Sequence, residues 1–164
     1  MLRNTLIAAA ILLCAAQAQA AQSPQPKETS MSHHAEGPFD VKTIPLQPDE
    51  VTTGTGITRF HLDKQYHGPL DAKAKGEMLA YGSPASGAAG YTAIEEVSGT
   101  LDGRKGSFAL QHWGTMQAGK FELRVEIVPG SGSGDLKGIA GTLTITINAG
   151  QHTYTLDYTL PSGN

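Results

Sequence analysis

The sequence predicts an all-β protein, most simply an eight-stranded antiparallel closed barrel. Three observations carry that reading. From Phe39 onward, apolar residues recur at every second position in short runs, the period of a half-buried strand. Turn residues separate the runs at short intervals, as in an up-and-down, calycin-like meander. No intervening segment has an amphipathic helical period. Eight strands with one apolar face each lose their exposed edges by closing on themselves. A two-sheet sandwich is the alternative architecture.

The first 20 residues read as a signal peptide. Arg3 is the charged start, Leu6 to Ala16 the apolar run, and Ala18-Gln19-Ala20 a small-x-small cleavage site. The run is too short, and too soon interrupted by Gln17, to span a bilayer. Leu13, before Cys14, stands where a lipid-attachment motif takes a small residue. Cleavage after Ala20 predicts a periplasmic or secreted protein with no transmembrane segment. Removing 20 of 164 residues leaves 144, enough for one domain with a real core. Without Arg3 the 12 basic residues fall to 11 against 15 acidic, a formal charge of −4. That mild acidity, without Lys/Arg clusters, argues against a nucleic-acid partner. Cys14 is the only cysteine, so the exported chain must be held by its core and its ladders rather than by disulfides.

Ala21 to Glu36 is rich in Pro, Gln, Ser and His, without apolar periodicity, and reads as a disordered tether. His33-His34 within it lacks further ligands at metal-site spacing. Residues 37–164 form the single predicted domain. Phe39 to Thr43 alternates and stops near Pro45 and Pro48. Ile57 to Tyr66 places Phe60, Leu62, Lys64 and Tyr66 on one face. His67-Gly68-Pro69 is a turn, and Asp71 to Tyr81 follows with Ala72, Ala74, Gly76, Met78 and Ala80 on one face. Gly82 to Gly90 is a small-residue loop. Phe121 to Ile127 alternates without a fault until Pro129. Gly141 to Asn148 carries Leu143, Ile145 and Ile147 on one face and threonines on the other. Ala149-Gly150 turns into His152 to Leu160, with Tyr154, Leu156, Tyr158 and Leu160 inward.

Between these runs, Gly90 to Trp113 is a hairpin around Asp102-Gly103, a pair suited to a type I′ turn with positive φ at both central positions. In such a hairpin, residues whose numbers sum to 205 face each other. One face then holds Tyr91, Ala93, Glu95, Val97, Phe108, Leu110 and His112. The turn Ala118-Gly119 likewise sets His112 beside Val125 and Leu110 beside Ile127. Two turns therefore place His112 inward, diagonal to Glu95 and within its reach.

Several stretches resemble a bacterial family, domain of unknown function 3224. They are Asp63-Lys-Gln-Tyr-His-Gly68, Gly76-Glu-Met78, Gly90-Tyr91, Ile94-Glu95, Gly99-Thr-Leu101, Gly103-Arg104, Gly106-Ser-Phe108, Gln111-His112-Trp-Gly-Thr-Met116 and Val128-Pro-Gly-Ser-Gly-Ser-Gly-Asp-Leu136. The resemblance covers the chain from Phe39 on. It implies an allene-oxide-cyclase-like barrel and no assigned activity.

A carboxylate on an apolar face is unfavourable unless paired; His112 is the neighbouring imidazole, and Lys64, on the Phe60/Leu62/Tyr66 face, is a candidate third, cationic member. Such a cluster orients a ligand, performs acid–base chemistry or only fixes barrel register; the remaining alternative is a hairpin whose Glu95 face is outside. Gly130 to Leu136 lacks the Gly-Lys-Ser/Thr ending and the following helix of a phosphate loop, and reads as a turn closing the barrel, with room for a short helical turn at Gly-Asp-Leu. No Gly-x-Ser-x-Gly elbow is present, and His61, His67, His112 and His152 lack metal-ligand spacing. No cofactor motif is visible, and no metal or catalytic residue is assigned.

The leading expectation is a barrel that binds a small apolar or amphipathic molecule among Phe60, Met78, Tyr91, Phe108, Tyr154 and Tyr158, oriented by Lys64, Glu95 and His112. The rivals are a cofactor-free isomerase or cyclase using Glu95 and His112, and a filled barrel that is structural or builds a homo-oligomer. An open cavity beside Glu95 and His112 separates the first two from the third.

Overall fold

The structure, a computed structural model, describes residues 30–161. The predicted signal peptide and residues 21–29 of the predicted tether lie outside the described residues. Eight strands run in chain order around a closed barrel: β1 (Ser30–Pro45), β2 (Ile57–Tyr66), β3 (Leu70–Ser83), β4 (Ala88–Leu101), β5 (Arg104–Gln117), β6 (Lys120–Ile127), β7 (Ala140–Asn148) and β8 (Gln151–Pro161). Each pairs antiparallel with its neighbours, and β1 closes the ring against β8. The sandwich alternative is thereby set aside.

Turn chemistry sets the register. Asp102 and Gly103, Ala118 and Gly119, and Ala149 and Gly150 all have positive φ, as two-residue primed turns require. The first turn pairs Val97 with Phe108 and Glu95 with Leu110. The second pairs His112 with Val125 and Leu110 with Ile127. Both registers match the sequence reading.

The first strand corrects it. β1 begins at Ser30, so residues 30–36, read as tether, form strand: Ala35 faces Leu156 and Gly37 faces Tyr154. The inward positions of this stretch carry His33, Ala35 and Gly37, so no apolar alternation marks them. Their neighbours on β8 supply the bulk instead. A Cβ at Gly37 would lie 2.3 Å from the His67 carbonyl oxygen and 3.0 Å from the Tyr154 hydroxyl. His33 stacks on Tyr158 at 5.0 Å between ring centroids, and His34 bonds Asp157 at 2.8 Å.

The two ends of the barrel differ. At one end the segment after β6 folds across the opening. The Ser133 amide donates to the Ser107 carbonyl, a one-turn 3-10 helix spans Gly134–Leu136, and Leu136 and Ile139 are buried. They cap a core that includes Leu70, Leu101, Phe108, Tyr158 and Leu160. At the other end two seams loosen. A single pair, Glu126 with Thr142, joins β6 to β7. β1 pairs with β8 only as far as Phe39 and with β2 only from Phe39 on, so β1 and β8 part above that residue.

Candidate functional site

The middle of the barrel holds a buried carboxylate, a buried lysine and a buried imidazole. Glu95 is wholly buried, Lys64 is 5% exposed and His112 is 3% exposed. Lys64 lies on β2 and Glu95 on β4, so β3 runs between them. It faces the interior there with Ala74, the partner of Lys64, and Gly76, the partner of Glu95. These small residues leave the space through which the lysine crosses to the carboxylate. A Cβ at Gly76 would come within 2.2 Å of the Ile94 carbonyl oxygen and 2.6 Å of Glu95 Cα.

Three donors converge on one oxygen. Glu95 Oε1 accepts from Lys64 Nζ at 2.8 Å, from the Tyr66 hydroxyl at 3.1 Å and from His112 Nε2 at 3.1 Å. Glu95 Oε2 is a buried acceptor with no partner among the described residues. Burial pushes the Glu95 carboxyl up, but the His112 hydrogen bond and the Lys64 charge outweigh it and hold the pKa below the ordinary value. Tyr66 is pushed well above the usual phenol range by its own burial and then by the Glu95 charge. Tyr91 moves the same way for the same two reasons. The Lys64 ammonium also sits 5.5 Å from the Phe39 ring centre and 5.9 Å from that of Tyr66, within cation–π range.

Above this cluster the barrel is open. A cavity of about 410 Å³ has Lys64 and His112 at its floor and Leu62, Met78, Tyr91, Leu123 and Ile145 in its wall. Phe121 and Ile147, more than half exposed, stand in its lining on the loosened β6–β7 seam. Phe39, Val41, Lys64 and His152 border both this cavity and a cleft of about 1080 Å³, so the two meet where β1 parts from β8. The cleft is larger, but its other walls include the outward Asp40, Lys42, Asp63, Lys73 and Lys75. The buried chemistry belongs to the inner cavity.

Of the residues singled out in the sequence, Lys64, Glu95 and His112 come together, and Met78 and Tyr91 join the cavity above them. Phe60 is half-buried and outside the cavity lining. Phe108, Tyr154 and Tyr158 point inward but lie in the packed core. The Tyr154 hydroxyl donates to the His67 carbonyl, and that of Tyr158 donates to Asp102. The sequence reading missed Tyr66 as a member of the cluster, although it shares a face with Lys64. It also missed Phe39, Leu123, Ile145 and His152 as cavity residues. Among the described residues no group of three or more His, Cys, Asp or Glu could hold a metal ion, and no helix is long and apolar enough to cross a membrane.

Fold and site together define a small antiparallel barrel, capped at one end and open at the other, with a charged cluster beneath the open half. A family model described as "Protein of unknown function (DUF3224)" matches residues 35–158, and the chain belongs to that family. No curated protein matches the chain. The crystal structure of a protein of unknown function from the same family, from Shewanella oneidensis, is similar, with 41% identity and a TM-score of 0.71. The likeness covers 81% of this chain and all of that one.

Proposed function

We propose that the protein binds a small apolar or amphipathic molecule in the open half of its barrel. The observation that supports this is the cavity of about 410 Å³, with an apolar wall above Lys64 and His112. Ligand sites typically combine such a wall with a few fixed polar groups. An environment-sensitive apolar dye should bind with one-to-one saturation, and Met78→Trp or Ile145→Trp, which fill the cavity, should abolish the signal without unfolding the protein. A dye signal that never saturates, or that survives both substitutions, refutes the reading.

A second reading is acid–base catalysis by a cofactor-free isomerase or cyclase, along the lines of the allene-oxide-cyclase resemblance. It is favoured by one feature: Glu95 orients the His112 imidazole while Lys64 stands beside it. Turnover of a bound ketone or epoxide that disappears in His112→Gln would favour it over binding alone. The N-terminal pattern supports export, with cleavage after Ala20. N-terminal sequencing of periplasmic protein should begin at Ala21, and a chain retained in the cytoplasm would refute it.

A further inference from the structure

The binding reading leaves open which head group the floor of the cavity accepts, and the charges there narrow the choice. The Lys64 ammonium and the Glu95 carboxylate cancel. An ionised carboxylate only accepts hydrogen bonds, so His112 bonds Glu95 Oε1 through an Nε2 that carries a proton. A second proton on this imidazole would leave a net positive charge on groups that are at most 5% exposed, an expensive arrangement. The neutral form leaves Nδ1 as a bare acceptor. Lys64 has two N–H bonds beyond the one it gives to Glu95. Lys64 and His112 bond the same oxygen and both line the cavity, so a head group at its floor meets an ammonium and an imidazole side by side.

We propose that the head group seated there is a carboxylic acid on an apolar tail, and that it binds together with one proton. Its carbonyl oxygen accepts from Lys64 Nζ, and its hydroxyl faces His112 Nδ1. An imidazole is ordinarily more basic than a carboxylate, so the proton moves from the acid oxygen to Nδ1. The O–H bond breaks, the N–H bond forms, and the floor stays neutral overall: two cations face two carboxylates. The His112 contact becomes charge-assisted, roughly twice as strong as a neutral one, and the Lys64 contact then joins a cation to an anion. An amide or an alcohol can make the same two contacts but has no such proton to give. The other ionisable groups facing this site are Tyr91 on β4, Tyr66 on β2 and His152 on β8. Strands β1, β3, β6 and β7 bring no ionisable side chain to the cavity.

The test uses the exported chain and three probes of one length: octanoic acid, octanamide and 1-octanol. Calorimetry in phosphate and in Tris, whose ionisation enthalpies differ, counts the protons taken up. Octanoate should bind with uptake of one proton, and its Kd should weaken about tenfold per pH unit from pH 7 to 8.5. Octanamide and octanol should bind more weakly and without that slope. His112→Gln should bind octanoate with no proton uptake, its fold checked by thermal melting. If that variant does not fold, the wild-type proton count still decides the question. Octanoate binding without proton uptake overturns the inference and leaves the binding reading standing. Uptake that persists in His112→Gln and disappears in His152→Gln assigns the proton to the rim imidazole and also overturns it. Saturable binding of none of the three probes overturns both.

Discussion

Glu95→Gln should be the most damaging conservative substitution in the barrel interior. It keeps the shape of the side chain and removes the only negative charge in the cluster. Lys64 is then left 5% exposed without its ion partner, while Tyr66 and His112 lose a charged acceptor. Breaking a buried ion pair by removing one partner costs about 3–5 kcal/mol. A domain of this size is stable by roughly 5–15 kcal/mol, so the variant should fold with a much reduced margin. In urea, at a slope of about 2 kcal/mol per molar, the unfolding midpoint should fall by roughly 2 M. Lys64→Met should cost less, because Tyr66 and His112 still serve the carboxylate. The double variant should lose less than the two single losses combined, with a coupling of about 0.5–3 kcal/mol. The pH dependence has a fixed sign. The folded-state pKa of Glu95 is lowered, so its contribution is complete above the ordinary carboxylate range and drains away as pH falls through the folded value. The stability gap between wild type and Glu95→Gln should therefore narrow with acid. Strictly additive losses, or a gap that widens below pH 4, would refute the pairing.

Two further outcomes follow from the geometry. Gly76→Ala should destabilise more than Gly103→Ala in urea unfolding. The new methyl at Gly76 meets the β4 backbone at Ile94 and Glu95, whereas at Gly103 nothing lies within 4 Å and only the φ of 78° is strained, worth about 1–3 kcal/mol. Equal losses would mean that β4 yields easily at Glu95. In ultraviolet titration, Tyr66 should stay un-ionised at pH 10, where free phenols are half ionised, and Tyr91 should titrate above the ordinary phenol range. The Tyr66→Phe difference spectrum measures the first directly, and an ordinary titration would show that this phenol is neither buried nor beside the carboxylate.

What could be read in the sequence, and what could not, follows from what a period of two can encode. Alternation plus a two-residue turn fixes which face Glu95 and His112 take, and alternation with Phe60, Leu62 and Tyr66 suffices for Lys64. A slip of one position would have turned all three outward. Alternation does not encode height along the barrel. Phe108, Tyr154 and Tyr158 therefore read as cavity wall with the right parity, yet they lie in the packed core. Their level is set by the segment carrying Leu136 and Ile139 across one end, a long-range event with no periodic signature. The N-terminal strand was hidden because Ala35 and Gly37 fill inward positions with almost no side chain.

Small residues of this kind carry information of their own. A run such as Ala72, Ala74 and Gly76 on one inward face reads as weak strand, since it buries little surface of its own. Within a closed barrel it marks the wall over which neighbouring side chains extend. Lys64 reaches Glu95 across Ala74 and Gly76, and Tyr66, paired with Ala72, bonds the same carboxylate. The missed tyrosine was therefore implied by three residues that have almost no side chain. Filling that wall is a different perturbation from removing the charge. It should displace Lys64 and Tyr66 from Glu95 together, while every ionisable group of the cluster remains in the chain.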